Sequence, residues 1–225
     1  GAVGHENAEV SCYPCGSGND FVKAFGGAEK FMDLEKILTA KAEKIDLLKV
    51  KDRYSNNVIN FGFDTTVAMC VNEGREKHGS AGKSLYTKGI IKAICTSMRN
   101  QFKVYADGEL LNPEGEALLC TLSNGKYVGG SFCCAPRAEL NDGYMEVCLA
   151  KPISRLRLIA LIGVYTRGEH LEDERFKDII VYRRAKKVEV EAPEGFAYSL
   201  DGEIIYDNHF TVEVEKQIVS YAAAQ

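Results

Sequence analysis

The hydrophobic and polar positions change rhythm along this chain of 225 residues. After a short apolar run at 10–13, Phe31, Leu34, Ile37 and Leu38 recur at helical spacing and predict one buried helical face. From Lys44 the rhythm shortens. The patterns at 44–50 and 58–61 predict two strands around a polar turn at 52–57. Helical spacing returns through Val67, Met69, Cys70 and Val71 and again over 86–98, with a charged, glycine-rich loop expected at 74–83. Strands are predicted at 102–105, 116–123, 128–134 and 144–150. Ser154 then predicts the N-cap of a helix with Leu156, Ile159, Ala160 and Val164 turned inward. Past a charged loop at 169–178, short strands follow at 179–182, 187–191, 196–200, 203–206 and 210–214.

Helices gathered early and strands dominating the end predict an α+β protein. Residues 1–42 read as the C-terminal remnant of an α/β domain, and 43–225 as a β-rich, sandwich-like domain. The chain lacks an initiator Met and opens as though an element were already under way, which predicts a fragment of a longer protein.

Composition narrows the class. With 45% hydrophobic and 27% charged residues the chain is globular, and a net charge of −4 argues against a nucleic-acid binder. No apolar run reaches the ~18 residues of a membrane-spanning helix, and the most apolar stretch is broken by Arg157. The eight cysteines suit small hydrophobic side chains in a reducing cytoplasm. Cys12 and Cys15 have the spacing of half a zinc site or of a redox pair.

Three turns could carry chemistry. Cys15-Gly16-Ser17-Gly18-Asn19-Asp20-Phe21 links an apolar run to helical material. Such a turn can offer backbone N–H groups and the Ser17 hydroxyl to an anion, or can be a plain connection capped by Asn19 or Asp20. Asp201-Gly202-Glu203 predicts a type I′ hairpin presenting Glu203, which could act as a general base. Asp107-Gly108-Glu109 repeats the tripeptide, so the motif alone does not choose between them. Glu139-Leu140-Asn141-Asp142-Gly143-Tyr144 could hold a hard cation through Asp142 and backbone carbonyls, or simply close a β-turn. Among the histidines only His170 invites a site role, and the basic run Arg183, Arg184, Lys186 and Lys187 could meet an anionic membrane or be a solvated strand end.

The order of these motifs is more specific than any one of them. Gly-Ser-Gly-Asn-Asp-Phe, Asn60-Phe61-Gly62-Phe63-Asp64, Ser123-Asn124-Gly125 with Gly129-Gly130, Ala135-Pro136-Arg137-Ala138 with Asn141-Asp142-Gly143, and Asp201-Gly202-Glu203 together resemble the soluble diacylglycerol kinase and sphingosine kinase-like lipid kinases. The resemblance spans essentially the whole chain. It implies an α/β nucleotide-binding domain followed by a β-sandwich of the NAD kinase/diacylglycerol kinase type. It implies ATP and Mg²⁺, with Gly16, Ser17, Gly18 and Asn19 at the nucleotide and Asp20 in the active site. It implies a structural Mg²⁺ held by Asp142 with carbonyls of Glu139 and Tyr144, and Glu203 as catalytic base accompanied by Asp201.

The activity implied is phosphorylation of a lipid hydroxyl, foremost that of diacylglycerol, by a cytoplasmic protein in peripheral contact with a membrane. A homodimer is compatible with this pattern. The family's Gly-Gly-Asp-Gly-Thr phosphate motif is absent from these residues, so this piece by itself is expected to bind ATP poorly and to be inactive. The rivals are an NAD kinase-like enzyme and a non-catalytic β-sandwich module that binds lipid or a partner.

Overall fold

The computed structural model describes residues 2–5, 7–16, 18–78 and 83–223. Among them, two antiparallel sheets face each other. The first has seven strands in the order Arg53–Ser55, Ala42–Val50, His209–Ala222, Lys187–Glu191, Lys103–Ala106 and Glu109–Leu110, with Glu9–Val10 added in parallel to His209–Ala222. The second has six, in the order Ile180–Ala185, Met145–Ala150, Leu119–Ser123, Val58–Gly62, Ala197–Leu200 and Glu203–Tyr206.

Their inner faces make the main core, as the period-two pattern requires. Ile59 and Phe61 from the second sheet meet Val188, Val190, Phe210 and Val212 from the first. Phe61 stands edge-on to Phe102 at 4.9 Å, and Tyr198 stacks on Phe210 at 4.2 Å. Contacts of this kind add to the burial of the rings themselves.

Helix α1 is Leu34–Thr39, α2 is Phe63–His78, α3 is Lys83–Thr96 and α4 is Arg155–Thr166. Of these, α2 to α4 cover the outer face of the second sheet, and α1 lies on the first. Helix α2 runs on through residues expected to be loop, up to His78. Residues 79–82, the rest of that expected loop, lie outside the described residues.

Among the described residues, those before Ala42 pack on the first sheet. Phe21, Val22, Phe31 and Ile37 bury themselves against Ile45, Leu47, Val219 and Tyr221. Two predicted inward faces are corrected. On α1, Ile37 is buried whereas Leu34 and Leu38 face solvent. On α4 it is Leu158, Leu161 and Val164 that turn inward, while Leu156 and Ile159 are exposed. The α4 sequence is apolar at nearly every position after Arg157, so periodicity does not set its phase; Leu161 and Val164 pack with Phe176 and Ile179, and the Arg155 guanidinium reaches the carbonyls of Ile94 and Cys95. The run after the glycine turn is a five-residue 3₁₀ helix, Phe21–Phe25, where a helix was expected. It is too short to build a useful macrodipole.

Candidate functional site

Antiparallel pairing brings several of the sequence motifs to one end of the second sheet. Val58 pairs with Ser123, Ser123 with Glu146, and Glu146 with Arg184; Ile59 pairs with Leu200, and Leu200 with Glu203. The loops leaving that end therefore carry Asn57, Ser123-Asn124-Gly125, Asn141-Asp142-Gly143 and Asp201-Gly202-Glu203.

The glycine turn docks on the same end. The Asp20 carboxylate accepts the Gly130 N–H at 2.9 Å and pairs with the Lys23 ammonium at 2.6 Å, and Lys23 also donates to the Gly130 carbonyl. A side chain at Gly18 would lie 3.1 Å from that carboxylate and 3.7 Å from the Gly130 Cα, so a glycine suits this approach. Asn19 has φ of 49°, and its Oδ1 accepts the Gly16 N–H at 3.0 Å. That amide is thus committed within the turn, which narrows the groups free for an anion. Ser17 lies outside the described residues.

The hairpin at 201–203 separates its two acids. Asp201 and Gly202 both have positive φ, at 48° and 97°, in keeping with the predicted type I′ turn. The Asp201 carboxylate accepts from the Ser55 hydroxyl at 2.8 Å, the Asn56 N–H at 2.9 Å and the Val58 N–H at 2.8 Å. Burial of that carboxylate pushes its pKa up, and these donors pull the other way. Asp107 behaves alike in the duplicate tripeptide, accepting the N–H groups of Lys186 and Lys187. The shared aspartate therefore ties its hairpin to a segment distant in sequence. Glu203 differs: it is exposed, sits 3.3 Å from the Arg53 guanidinium, and lines a shallow hollow with Arg53, Tyr54, Leu200 and Asp201.

The third turn is anchored from below by a residue the motifs did not flag. Asp46 is fully buried and accepts the Gly143 N–H at 2.6 Å and the Gln217 N–H at 2.7 Å, while its own N–H reaches the Leu140 carbonyl. The signal was a lone acid inside the apolar run Ile45-Asp46-Leu47-Leu48. Asp46→Ala should destabilise the fold by about 3 kcal/mol, because it orphans two N–H groups at once. Urea denaturation checks this, and a change below about 1 kcal/mol would contradict the anchoring role.

As arranged, this turn is poorly suited to a cation. Asp142 accepts the Tyr144 N–H and is ion-paired to Arg184, which also reaches Glu146. Arg184 and Lys186 lie over the Tyr144 ring, at 4.4 and 5.2 Å from its centre. A guanidinium already satisfies the carboxylate that Mg²⁺ would need. No group of three metal-binding side chains forms among the described residues.

The remaining candidates sit elsewhere. Cys12 is half-buried and Cys15 exposed, with all eight thiols free. Cys95, expected in an apolar environment, is exposed on α3. His170 is buried against the Tyr165 ring at 4.7 Å and the Cys148 sulfur at 4.0 Å, and burial lowers its pKa to about 4.

Comparison with known proteins agrees with this architecture. Residues 57–222 match the family model described as the YegS C-terminal NAD kinase beta sandwich-like domain. A protein of Alcanivorax borkumensis named "Probable lipid kinase YegS-like" is 27% identical over 93% of this chain and 68% of its own length. A diacylglycerol kinase of Bacillus subtilis is 29% identical over 84% of this chain and 61% of its own length. The chain thus spans about two thirds of the length of these relatives. The crystal structure of a diacylglycerol kinase from Bacillus anthracis superposes with a TM-score of 0.66 at 16% identity, covering 96% of this chain and 66% of that one. By its sequence match and its sheet architecture, the chain belongs to the family of the YegS C-terminal NAD kinase beta sandwich-like domain.

Proposed function

We propose that the protein to which this chain belongs transfers the γ-phosphate of ATP to a lipid hydroxyl, with diacylglycerol as the acceptor and phosphatidic acid as the product. One observation carries the reading: the glycine turn is clamped by Asp20 to Gly130, at the sheet end that also presents Glu203. A nucleotide phosphate and a general base are thereby offered from one surface.

In this reading the backbone around Gly18 and the Ser17 hydroxyl hold phosphate oxygens, and Mg²⁺ arrives as the counter-ion of the nucleotide. Asp20 fixes the turn that makes the cradle. The Glu203 carboxylate takes the proton of the acceptor hydroxyl, that oxygen bonds to the γ-phosphorus, and the bond to the bridging oxygen breaks to release ADP. Transfer of this kind depends on alignment and charge neutralisation more than on covalent chemistry. The names of the Alcanivorax borkumensis and Bacillus subtilis relatives support a lipid kinase, and the second of them supports diacylglycerol.

The test is transfer of labelled phosphate from ATP by the protein at its native length, with diacylglycerol, sphingosine, phosphatidylglycerol and NAD offered separately. Labelled phosphatidic acid is the expected product. Transfer to NAD alone would replace the reading with that of an NAD kinase, and transfer to none would favour a binding module.

A further inference from the structure

We propose that the junction of α3 and α4 is a surface that seats on an anionic lipid bilayer. The proposal rests on the lipid kinase reading for the reason the protein visits a membrane, and it names the face that does so.

Charge sets this region apart. The chain carries net charge −4, yet no Asp or Glu occurs between Lys83 and Ala106 or between Lys151 and Gly168. These two stretches contain α3 and α4, and their exposed bases include Lys88, Lys92, Arg155 and Arg157. They are joined in space, because Arg155 at the start of α4 donates to the carbonyls of Ile94 and Cys95 near the end of α3. Arg157 likewise spends a donor on the Arg175 carbonyl, not on a carboxylate. Lys92 has only a loose approach to Glu73, at 3.9 Å between exposed side chains. An ion pair of that kind leaves the positive charge largely available.

Apolar side chains stand out from the same junction. Leu156 is 82% exposed, Ile159 60% and Ile91 57%. Leu156 follows Arg155 directly, Ile159 lies one turn further along α4, and Ile91 one turn before Cys95 on α3. Isoleucines and leucines projecting among bases that no close ion pair neutralises are what an interfacial helix presents: the side chains enter the acyl boundary while the bases meet lipid phosphates. A bilayer supplies anions and hydrocarbon together, which answers both the bases and the apolar side chains of this face.

Other surfaces fit less well. The basic run at the strand end is largely neutralised, since Arg184 pairs with Asp142 and Glu146, and Lys187 with Glu189. The exposed Leu34 and Leu38 of α1 sit among Asp33, Glu35 and Lys36, of which Asp33 and Lys36 pair with each other.

Co-sedimentation with phosphatidylcholine vesicles, with and without phosphatidylglycerol, tests this at native length and without nucleotide. Binding is expected to require phosphatidylglycerol and to weaken with salt. Leu156→Ser with Ile159→Ser should lower the partition coefficient about a hundredfold, tenfold for each buried side chain withdrawn. Lys88→Gln and Arg157→Gln should each cost about fivefold. Leu38→Ser, at an equally exposed site on α1, should leave partitioning unchanged.

The proposal is overturned if the double variant partitions like the parent, if Leu38→Ser loses as much, or if the Leu156 face mediates self-association with no vesicle binding. Chemistry is read separately, with a short-chain diacylglycerol dissolved as monomer. A double variant that loses vesicles but keeps this transfer supports the docking face. A parent that docks through this face yet phosphorylates no lipid overturns the kinase reading and leaves the docking face standing.

Discussion

Glu203→Gln should lower lipid phosphorylation by roughly 10²- to 10⁴-fold, the usual worth of a general base. The amide keeps the side chain's size and its place beside Arg53, at the rim of the shallow hollow, but cannot take a proton. Because Glu203 is exposed and its ion pair with Arg53 is solvated, the change should leave the unfolding midpoint within experimental error. The deficit belongs in turnover, with little change in the KM for ATP, since the proposed mechanism holds the nucleotide at the glycine turn and not at Glu203. Asp201→Asn is the informative partner. It weakens acceptors of three donors at once, so it should lower stability as well as activity. Near-normal turnover in Glu203→Gln would remove this residue from the proton transfer. A loss matched by Glu109→Gln, in the duplicate hairpin, would reduce both to nonspecific charge effects.

The two Asp-Gly-Glu hairpins show what sequence can and cannot convey. Both type I′ turns were legible, because Asp-Gly supplies the two positive φ values such a turn needs. That their aspartates bind backbone N–H groups from distant segments was not, because the partners, 55–58 in one case and 186–187 in the other, are adjacent only once the sheets form. Strands were read well wherever one face met water and the alternation was clean, as in Lys187–Glu191. Helix phase failed on α4, where an apolar residue stands at nearly every position and the side that turns in is the one that packs on Phe176, Ile179 and Ile180, contacts formed only in the fold. The turn at 139–144 offers acids and carbonyls that suit either a cation or a plain β-turn, and only the family resemblance chooses the cation. Arg184, the cation that arrives, comes from a strand some forty residues on.

Asp64→Asn should stabilise the protein by an amount that grows with pH, from nothing near pH 4 to about 4 kcal/mol at pH 8. Asp64 lies in the first turn of α2, with one carboxylate oxygen buried and without a hydrogen-bond partner, and burial raises its pKa from 3.8 to about 7. Between those values the unfolded chain holds the ionised form while the folded chain keeps the proton. Stability from this group is thus complete below pH 3.8 and lost as pH rises through about 7. His170 acts in the opposite sense. Burial lowers its pKa from 6.5 to about 4, so its contribution is complete above pH 6.5 and lost as pH falls towards 4.

Over the shared window the two slopes oppose each other. The Asn variant should expose the histidine slope, with stability rising by up to about 1.4 kcal/mol per pH unit more steeply than in the parent. Urea unfolding of parent and variant at pH 4.5, 6.5 and 8 reads the difference directly, and groups common to both cancel. The thiols of Cys120, Cys134 and Cys148 and the Tyr165 phenol near Asp64 are all shifted upward by burial, so they stay neutral throughout this range. A stability gap that is constant with pH would mean that the Asp64 carboxylate ionises as freely in the folded protein as in the unfolded chain.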